Sequence, residues 1–300
     1  MASVRFPPDI QQHLLLKTLS VCDFVMLDLP PSTPAVMTRL AQMPKYASKL
    51  EPTVHNVNEI VSILSPSDNI LETLQQSIHF GLVKSILSPH SPISGGRRYP
   101  LWLVSFWAEL SSIRKIQQKW RTAIASLETQ IDRNKESGPL RQAFFTLSQI
   151  QWTGRLQGFR KGIDLHQLSV YFTREWLTND HELVMLDALK DDLVIAGKPD
   201  ESFIENTAFI LLLGNAFKDK QGYMDGSCYE WLHQQGDDLA IRDTGKRLLS
   251  TIANQDGVHW VAIILDFGRQ RLYHGNPYGN CISEEHHAII DWWTEHHANV

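Results

Sequence analysis

Residues 258–276 read VHWVAIILDFGRQRLYHGN, and this stretch decides how the C-terminal half of the chain folds. Two runs of β-branched, aromatic and other apolar residues flank a turn centred on Phe267-Gly268. Strand-forming runs on either side of a short Gly-containing turn are typical of a β-hairpin. The sequence therefore predicts two antiparallel strands joined by a tight turn.

The hairpin register brings two polar side chains together. If Asp266 pairs with Arg269, then His259 lies directly opposite Asn276. Opposed side chains of an antiparallel pair have Cβ atoms about 4.5–5.5 Å apart, which is close enough for a carboxamide to hold an imidazole. A turn of two or four residues leaves both on one face of the sheet, whereas three or five residues would separate them.

Length and composition describe an ordinary globular chain. The 300 residues (34.3 kDa) suffice for one large domain or two smaller ones, with 43% apolar and 20% charged residues. These values exclude a disordered or fibrous protein. With 28 Lys and Arg against 33 Asp and Glu, the net charge of −5 offers no basic surface for a phosphate backbone. We therefore expect no nucleic-acid partner.

Cysteine usage and apolar runs predict the compartment. The three cysteines, Cys22, Cys228 and Cys281, are odd in number and far apart, which argues against a disulfide framework. Residues 1–9 do not resemble a secretory signal, and no run reaches the roughly 18 apolar residues of a membrane span. We expect an intracellular protein, nuclear or cytoplasmic, that does not enter a membrane.

The chain changes character near residue 155. Apolar residues between Leu103 and Ile131 recur every three or four positions, which predicts a long helix whose apolar face packs within its own domain. Residues 1–155 are accordingly predicted to be a helical region of unknown role. Residues 156–300 combine short helices with the hairpin, so the expected fold class is α+β.

His259 and Asn276 supply two of the three groups found in thiol hydrolases. An imidazole takes the thiol proton, and a third group fixes the tautomer and direction of that imidazole. His259 is thus a candidate general base and Asn276 its orienting partner. A single histidine at the start of a strand is more often structural, so the catalytic interpretation depends on the pairing with Asn276.

Three elements together resemble the Ulp1/SENP family of ubiquitin-like-protein cysteine proteases, in particular its divergent fungal members. They are His259-Trp260 at the start of an apolar strand, an amide at the end of the returning strand, and Trp176-Leu177-Thr178-Asn179-Asp180 upstream. The resemblance implies a partial papain-like domain over 156–300 that hydrolyses isopeptide or peptide bonds after the tail of a SUMO-like modifier. It also implies that Trp176 and Trp260 contact this tail, and that no cofactor is needed.

The chain departs from that family at two points. Asn276 occupies the position of an orienting Asp. In addition, the family's oxyanion Gln and nucleophilic Cys lie several dozen residues beyond that position, whereas 24 residues follow Asn276 here. We therefore expect a C-terminally incomplete domain without efficient turnover, either a truncated gene product or a true pseudoenzyme.

Cys228 is the alternative nucleophile. Gly226-Ser227-Cys228-Tyr229 partly matches the Gly-Ser-Cys-aromatic context of papain-like enzymes, and Cys228, His259 and Asn276 follow in papain order. However, 31 residues separate Cys228 from His259, against about 130 in papain-like enzymes. An ordinary semi-buried cysteine is the simpler interpretation of Cys228.

Histidine pairs near the C-terminus, His286-His287 and His296-His297, suggest metal binding at first sight. Adjacent side chains on a helix diverge, and the His-Glu-x-x-His spacing is absent. We therefore predict solvated histidines and no metal site, and we interpret Trp292-Trp293 as core or exposed former core rather than as a binding cage. The function that competes with a peptidase is a noncatalytic interaction protein that binds a ubiquitin-like modifier or another partner. The sequence does not indicate an oligomeric state.

Overall fold

The computed structural model describes residues 10, 17–30, 32, 46–79, 83–87, 96–134, 136–198, 202–226, 228–240, 248–255, 257 and 259–298. These residues contain helices and two β-sheets, which confirms the α+β class. The chain divides into two compact units. The first comprises 1–155 and 164–175, and the second comprises 156–163 and 176–300.

The first unit is mainly helical and carries one small sheet. Its elements are α1 (Val21–Met26), β1 (Ala47–Ser48), α2 (Val57–Val61), α3 (Asp68–His79), β2 (Ser85–Leu87), β3 (Arg98–Pro100), α4 (Trp102–Arg133), α5 (Gly138–Leu147) and a 3₁₀ helix (Leu165–Phe172). The strands pair antiparallel in the order β1-β2-β3. Strands of two or three residues are too short to show a period of two, so the sequence did not reveal this sheet.

The long helix predicted from the apolar periodicity is α4. Its buried side chains join two clusters of the first unit, one around Leu103 and Trp107 and the other around Trp120 and Leu127. The Trp120 indole N–H also donates to the Trp152 carbonyl at 3.2 Å. The apolar stripe therefore serves packing within its own unit, as predicted. Across the described residues, neither α4 nor any other helix is both long and apolar enough to cross a membrane.

The second unit packs helices against a four-stranded sheet. Its elements are α6 (Asn179–Ile195), β4 (Ser202–Ile204), α7 (Phe209–Lys218), α8 (Lys220–Met224), α9 (Glu230–Ala240), β5 (Leu248–Gln255), β6 (His259–Asp266), β7 (Arg271–Gly275) and α10 (Glu284–Ala298). The strand order is β4-β5-β6-β7, with β4 parallel to β5 and the other pairs antiparallel. The predicted hairpin is confirmed as β6 and β7.

The core of the second unit lies on the sheet face of Val261, Ile263 and Leu265, which alternate along β6 and are buried. Phe209 from α7 and Trp293 from α10 cover this face, and their rings meet edge to face at 5.5 Å. Because His259 has the same parity in the strand, it belongs to this face and lies at its end. The sheet thus fixes the direction of the candidate base.

The predicted hairpin register is wrong by two residues. Asp266 pairs with Arg271 instead of Arg269, so the turn has four residues. The Asp266 carboxylate accepts the Arg269 N–H at 2.9 Å, and Gln270 takes the left-handed conformation with a φ of 53°. Four is an even number, so His259 and Asn276 still share one face of the sheet.

The start of α6 differs from what its sequence predicts. The pattern that opens at Trp176-Leu177 predicts a helix with Asn179 or Asp180 as N-cap, but Thr178 is the N-cap. Its backbone N–H donates to Nδ1 of His181 at 3.1 Å. In this capping box a histidine takes the place where Glu or Gln is usual, so the sequence signal was missed.

Candidate functional site

The imidazole of His259 contacts the carboxamide of Asn276, with Nε2 and Oδ1 2.8 Å apart. Asn276 follows the last residue of β7, and its Oδ1 also accepts the backbone N–H of Tyr278 at 2.9 Å. A backbone N–H is always a donor, so the shared atom must be the carbonyl oxygen. Nε2 of His259 therefore carries the proton, and the lone pair lies on Nδ1.

An aromatic ring and two buried polar atoms, which lack partners in the described part of the chain, lie at this pair. The ring of Tyr278 lies 4.6 Å from the ring of His259, with 38° between their planes. Gln255 stands opposite His259 in the β5–β6 register. Among the described residues, Gln255 Oε1 and Asn276 Nδ2 are buried without a hydrogen-bond partner. Buried polar atoms without partners are costly, so these two atoms mark a place where a further polar group would be stabilised.

A second imidazole lies nearby on β7. His274 has the same parity as Asn276, and its Nε2 is buried with no partner among the described residues. Burial lowers the pKa of His274, and the neighbouring His286 and His259 lower it further. His274 is therefore held neutral beside the candidate base.

The predicted tail-binding tryptophans lie in different environments. The Trp260 indole N–H donates to the Leu177 carbonyl at 2.8 Å, which ties the start of β6 to the segment that contains Trp176. Trp176 itself is 63% exposed. Successive residues of a strand point to opposite faces, so Trp260 does not lie on the same face as His259.

Trp260 lines a groove of about 1020 Å³ within the second unit. Helices α6, α7 and α10 contribute apolar side chains to its wall, namely Leu183, Leu186, Ile210, Leu211 and Ile289. Lys190 and Glu205 add charge, and burial is the main cause that lowers the pKa of the lysine and raises that of the glutamate. The groove can therefore accept a chain with both apolar and polar groups.

Among the described residues, the hydrogen bond and the ring contact of His259 involve Asn276 and Tyr278, and neither involves a cysteine. Cys228 and Cys281 are exposed thiols, while Cys22 belongs to the first unit and burial raises its pKa. The structure thus brings the predicted base and orienting group together, but it does not add Cys228 to them.

The histidines near the C-terminus differ from the prediction of a solvated face. His297 is 1% exposed, and its Nδ1 and Nε2 bind the Asp237 carboxylate and the Tyr223 hydroxyl, both at 2.8 Å. The indole N–H of Trp293 donates to the same hydroxyl at 3.0 Å. Trp293 lies in the core as predicted. The sequence signal that was missed is Gly236, a glycine inside α9 where His297 approaches the helix.

Comparison of the chain with family models, curated proteins and solved structures finds no match.

Proposed function

We propose that the second unit is a Ulp1-like cysteine peptidase domain that retains the base and orienting group of the site. The single observation that carries this proposal is the 2.8 Å contact between His259 Nε2 and Asn276 Oδ1. The contact is made through Nε2, so Nδ1 remains free to accept a proton. Among the described residues, Nδ1 has no partner of its own, as a base awaiting a thiol requires.

In the reaction of this family, a thiol gives its proton to the imidazole, and the thiolate attacks the carbonyl after the modifier's tail. The imidazolium then protonates the leaving amine as the C–N bond breaks, and a thioester remains. Water, deprotonated by the same imidazole, hydrolyses the thioester and regenerates the thiol. Here His259 has the role of base and acid. Asn276 orients it but, being uncharged, stabilises the imidazolium less than an aspartate does.

We assign the tail of a SUMO-like modifier to the region of Trp260 and Trp176. Trp260 forms part of the wall of the groove, and Trp176 presents an exposed indole next to Leu177, whose carbonyl binds Trp260. Aromatic side chains with one apolar and one polar edge are well suited to an extended peptide. Such a domain would act on conjugates in the nucleus or cytoplasm.

For the chain of 300 residues we propose no efficient turnover, because the contacts that His259 makes with the described residues include no thiol. The same observation favours a second candidate function, a noncatalytic protein that binds a ubiquitin-like modifier. The groove and both tryptophans are available for binding without a nucleophile. A noncatalytic binding protein and a peptidase would therefore use the same surface of the second unit.

The test is a fluorogenic assay on SUMO and ubiquitin with C-terminal reporter groups, together with anisotropy measurements on labelled modifier. We expect no release, and binding that weakens in Trp260→Ala but not in Tyr273→Ala, a matched loss of a partly exposed aromatic ring that does not line the groove. Release that disappears in Cys228→Ser would show that Cys228 is the nucleophile and contradict the proposed inactivity. Absence of both release and binding would contradict the modifier-directed function.

A further inference from the structure

Three imidazoles from two helices meet in the second unit, and none of them belongs to the His259–Asn276 pair. His233 lies on α9, and His296 and His297 lie on α10. Each offers a ring nitrogen, and these three nitrogens lie within 4.8 Å of one another. The ring of His233 is 5.7 Å from that of His296 and 5.8 Å from that of His297. His233 lies on a different helix from His296 and His297, so the sequence pattern could not show that the three meet.

The hydrogen bonds of two of these rings determine which nitrogen is available. His233 Nε2 contacts the Tyr223 carbonyl at 2.6 Å, and a carbonyl only accepts, so Nε2 carries the proton and Nδ1 carries the lone pair. By the same argument, His297 Nδ1 donates to the Asp237 carboxylate and Nε2 carries the lone pair. Metal-binding histidines characteristically donate their second ring N–H to a carbonyl or carboxylate.

The third ring, His296, is half-buried and makes no hydrogen bond with any described residue. It contacts the other two imidazoles and the ring of Tyr223. A metal-binding imidazole offers the lone pair of one ring nitrogen.

A glycine makes room for this arrangement. A Cβ at Gly236 would lie 2.3 Å from the ring of His297, so no other residue fits there without moving the ring. Glycine inside a helix destabilises it by about 1 kcal/mol relative to alanine. Gly236 therefore lowers the intrinsic stability of α9 at the position where the His297 ring packs against this helix.

We propose that His233, His296 and His297 form a binding site for a zinc-class transition-metal ion that joins α9 to α10. Imidazole ligands suit Zn²⁺, Co²⁺ and Ni²⁺, and three of them leave a fourth position for water. The Tyr223 hydroxyl, which now bonds His297 Nε2, must release that nitrogen when the metal binds; the Trp293 indole N–H continues to hold the phenol oxygen. The site is separate from the proposed peptidase function.

The test uses the full chain, freed of metal by a chelator and then titrated with Zn²⁺ by calorimetry and with Co²⁺ by visible absorption. We expect one equivalent to bind, tetrahedral Co²⁺ bands, and a higher melting temperature with Zn²⁺. His296→Ala should weaken binding by more than about tenfold, since a ligand is lost. His287→Ala removes an exposed imidazole from the same helix and should bind as the unchanged chain does.

His296 takes no part in the hydrogen-bond network of the core, so His296→Ala should keep the native circular dichroism spectrum. If that variant is not folded, His233→Ala serves as the second variant with the same expected loss. Absence of saturable binding by the unchanged chain overturns the proposal. Equal affinity in the unchanged chain and in a folded His296→Ala or His233→Ala variant overturns it as well.

Discussion

Gly236 lies where the His297 ring of α10 closely approaches α9, a contact that the rest of the sequence does not indicate. Replacing glycine by alanine inside a helix normally stabilises a protein by about 1 kcal/mol. At Gly236 the added Cβ would lie 2.3 Å from the His297 ring. We therefore expect Gly236→Ala to lower the free energy of unfolding by about 1–3 kcal/mol, as overpacking does, measured by urea denaturation.

Gly214 in α7 provides the matched control. A Cβ there would meet Ile289 Cδ1 at 3.6 Å, an ordinary van der Waals distance. We expect Gly214→Ala to raise the free energy of unfolding by about 0.5–1 kcal/mol. If both variants changed stability in the same direction, the seating of His297 against α9 would be wrong.

The sequence located the His259–Asn276 pair because the error in turn length was an even number of residues. The register was wrong by two residues, yet a shift of two keeps every side chain on its face. The length of the turn could not be read from Phe267-Gly268, because the left-handed residue of the four-residue turn is Gln270, with a φ of 53°. Left-handed conformations are usually signalled by glycine or asparagine.

At the level of elements, long periodic segments could be predicted and short or interlocking ones could not. The stripe of α4 extends over eight turns, so its apolar period is unambiguous. The position of His297 depends on how α10 packs against α9, which is a tertiary contact between residues 60 apart in sequence. A pattern confined to α10 makes its adjacent histidines look solvated, whereas packing buries one of them.

The contact between α9 and α10 should make the second unit sensitive to acid. Burial is the main cause that lowers the pKa of His297 below its ordinary value of 6.5; His296 and His233 act in the same direction and Asp237 in the opposite one. Below that value the unfolded chain binds a proton that the folded chain does not. The contribution of neutral, buried His297 to the free energy of unfolding is therefore fully present above about pH 6.5. It is lost as the pH falls towards the lowered pKa.

The measurement compares urea denaturation of the metal-free chain with that of His297→Asn at about pH 7.5 and 5.5. We expect acidification to lower the free energy of unfolding more in the unchanged chain than in the variant. Buried Glu205 has a raised pKa and acts in the opposite direction, but it is common to both proteins and cancels. An equal or smaller loss in the unchanged chain would contradict the assignment to His297.

On the scale of the whole molecule, each of the two units has a core of its own. Leu103 lies in a cluster of the first unit, and Leu213 lies in the cluster of the second. Multidomain proteins commonly depart from two-state unfolding. We expect calorimetry to show two transitions. Leu103→Ala should lower the melting temperature of one and Leu213→Ala that of the other, because each should lose about 2–5 kcal/mol of stability, as is typical of buried leucines. A single transition that both variants lower alike would contradict separate unfolding.

The claim that Asn276 orients His259 as a base is tested most directly by the ¹⁵N NMR spectrum of the His259 ring in the folded chain at about pH 7.5. Because the Tyr278 N–H fixes the direction of the carboxamide, we predict a proton on Nε2 and none on Nδ1, with the two tautomers mixing in Asn276→Ala. A proton found on Nδ1, or the same mixture of tautomers in both proteins, would contradict it.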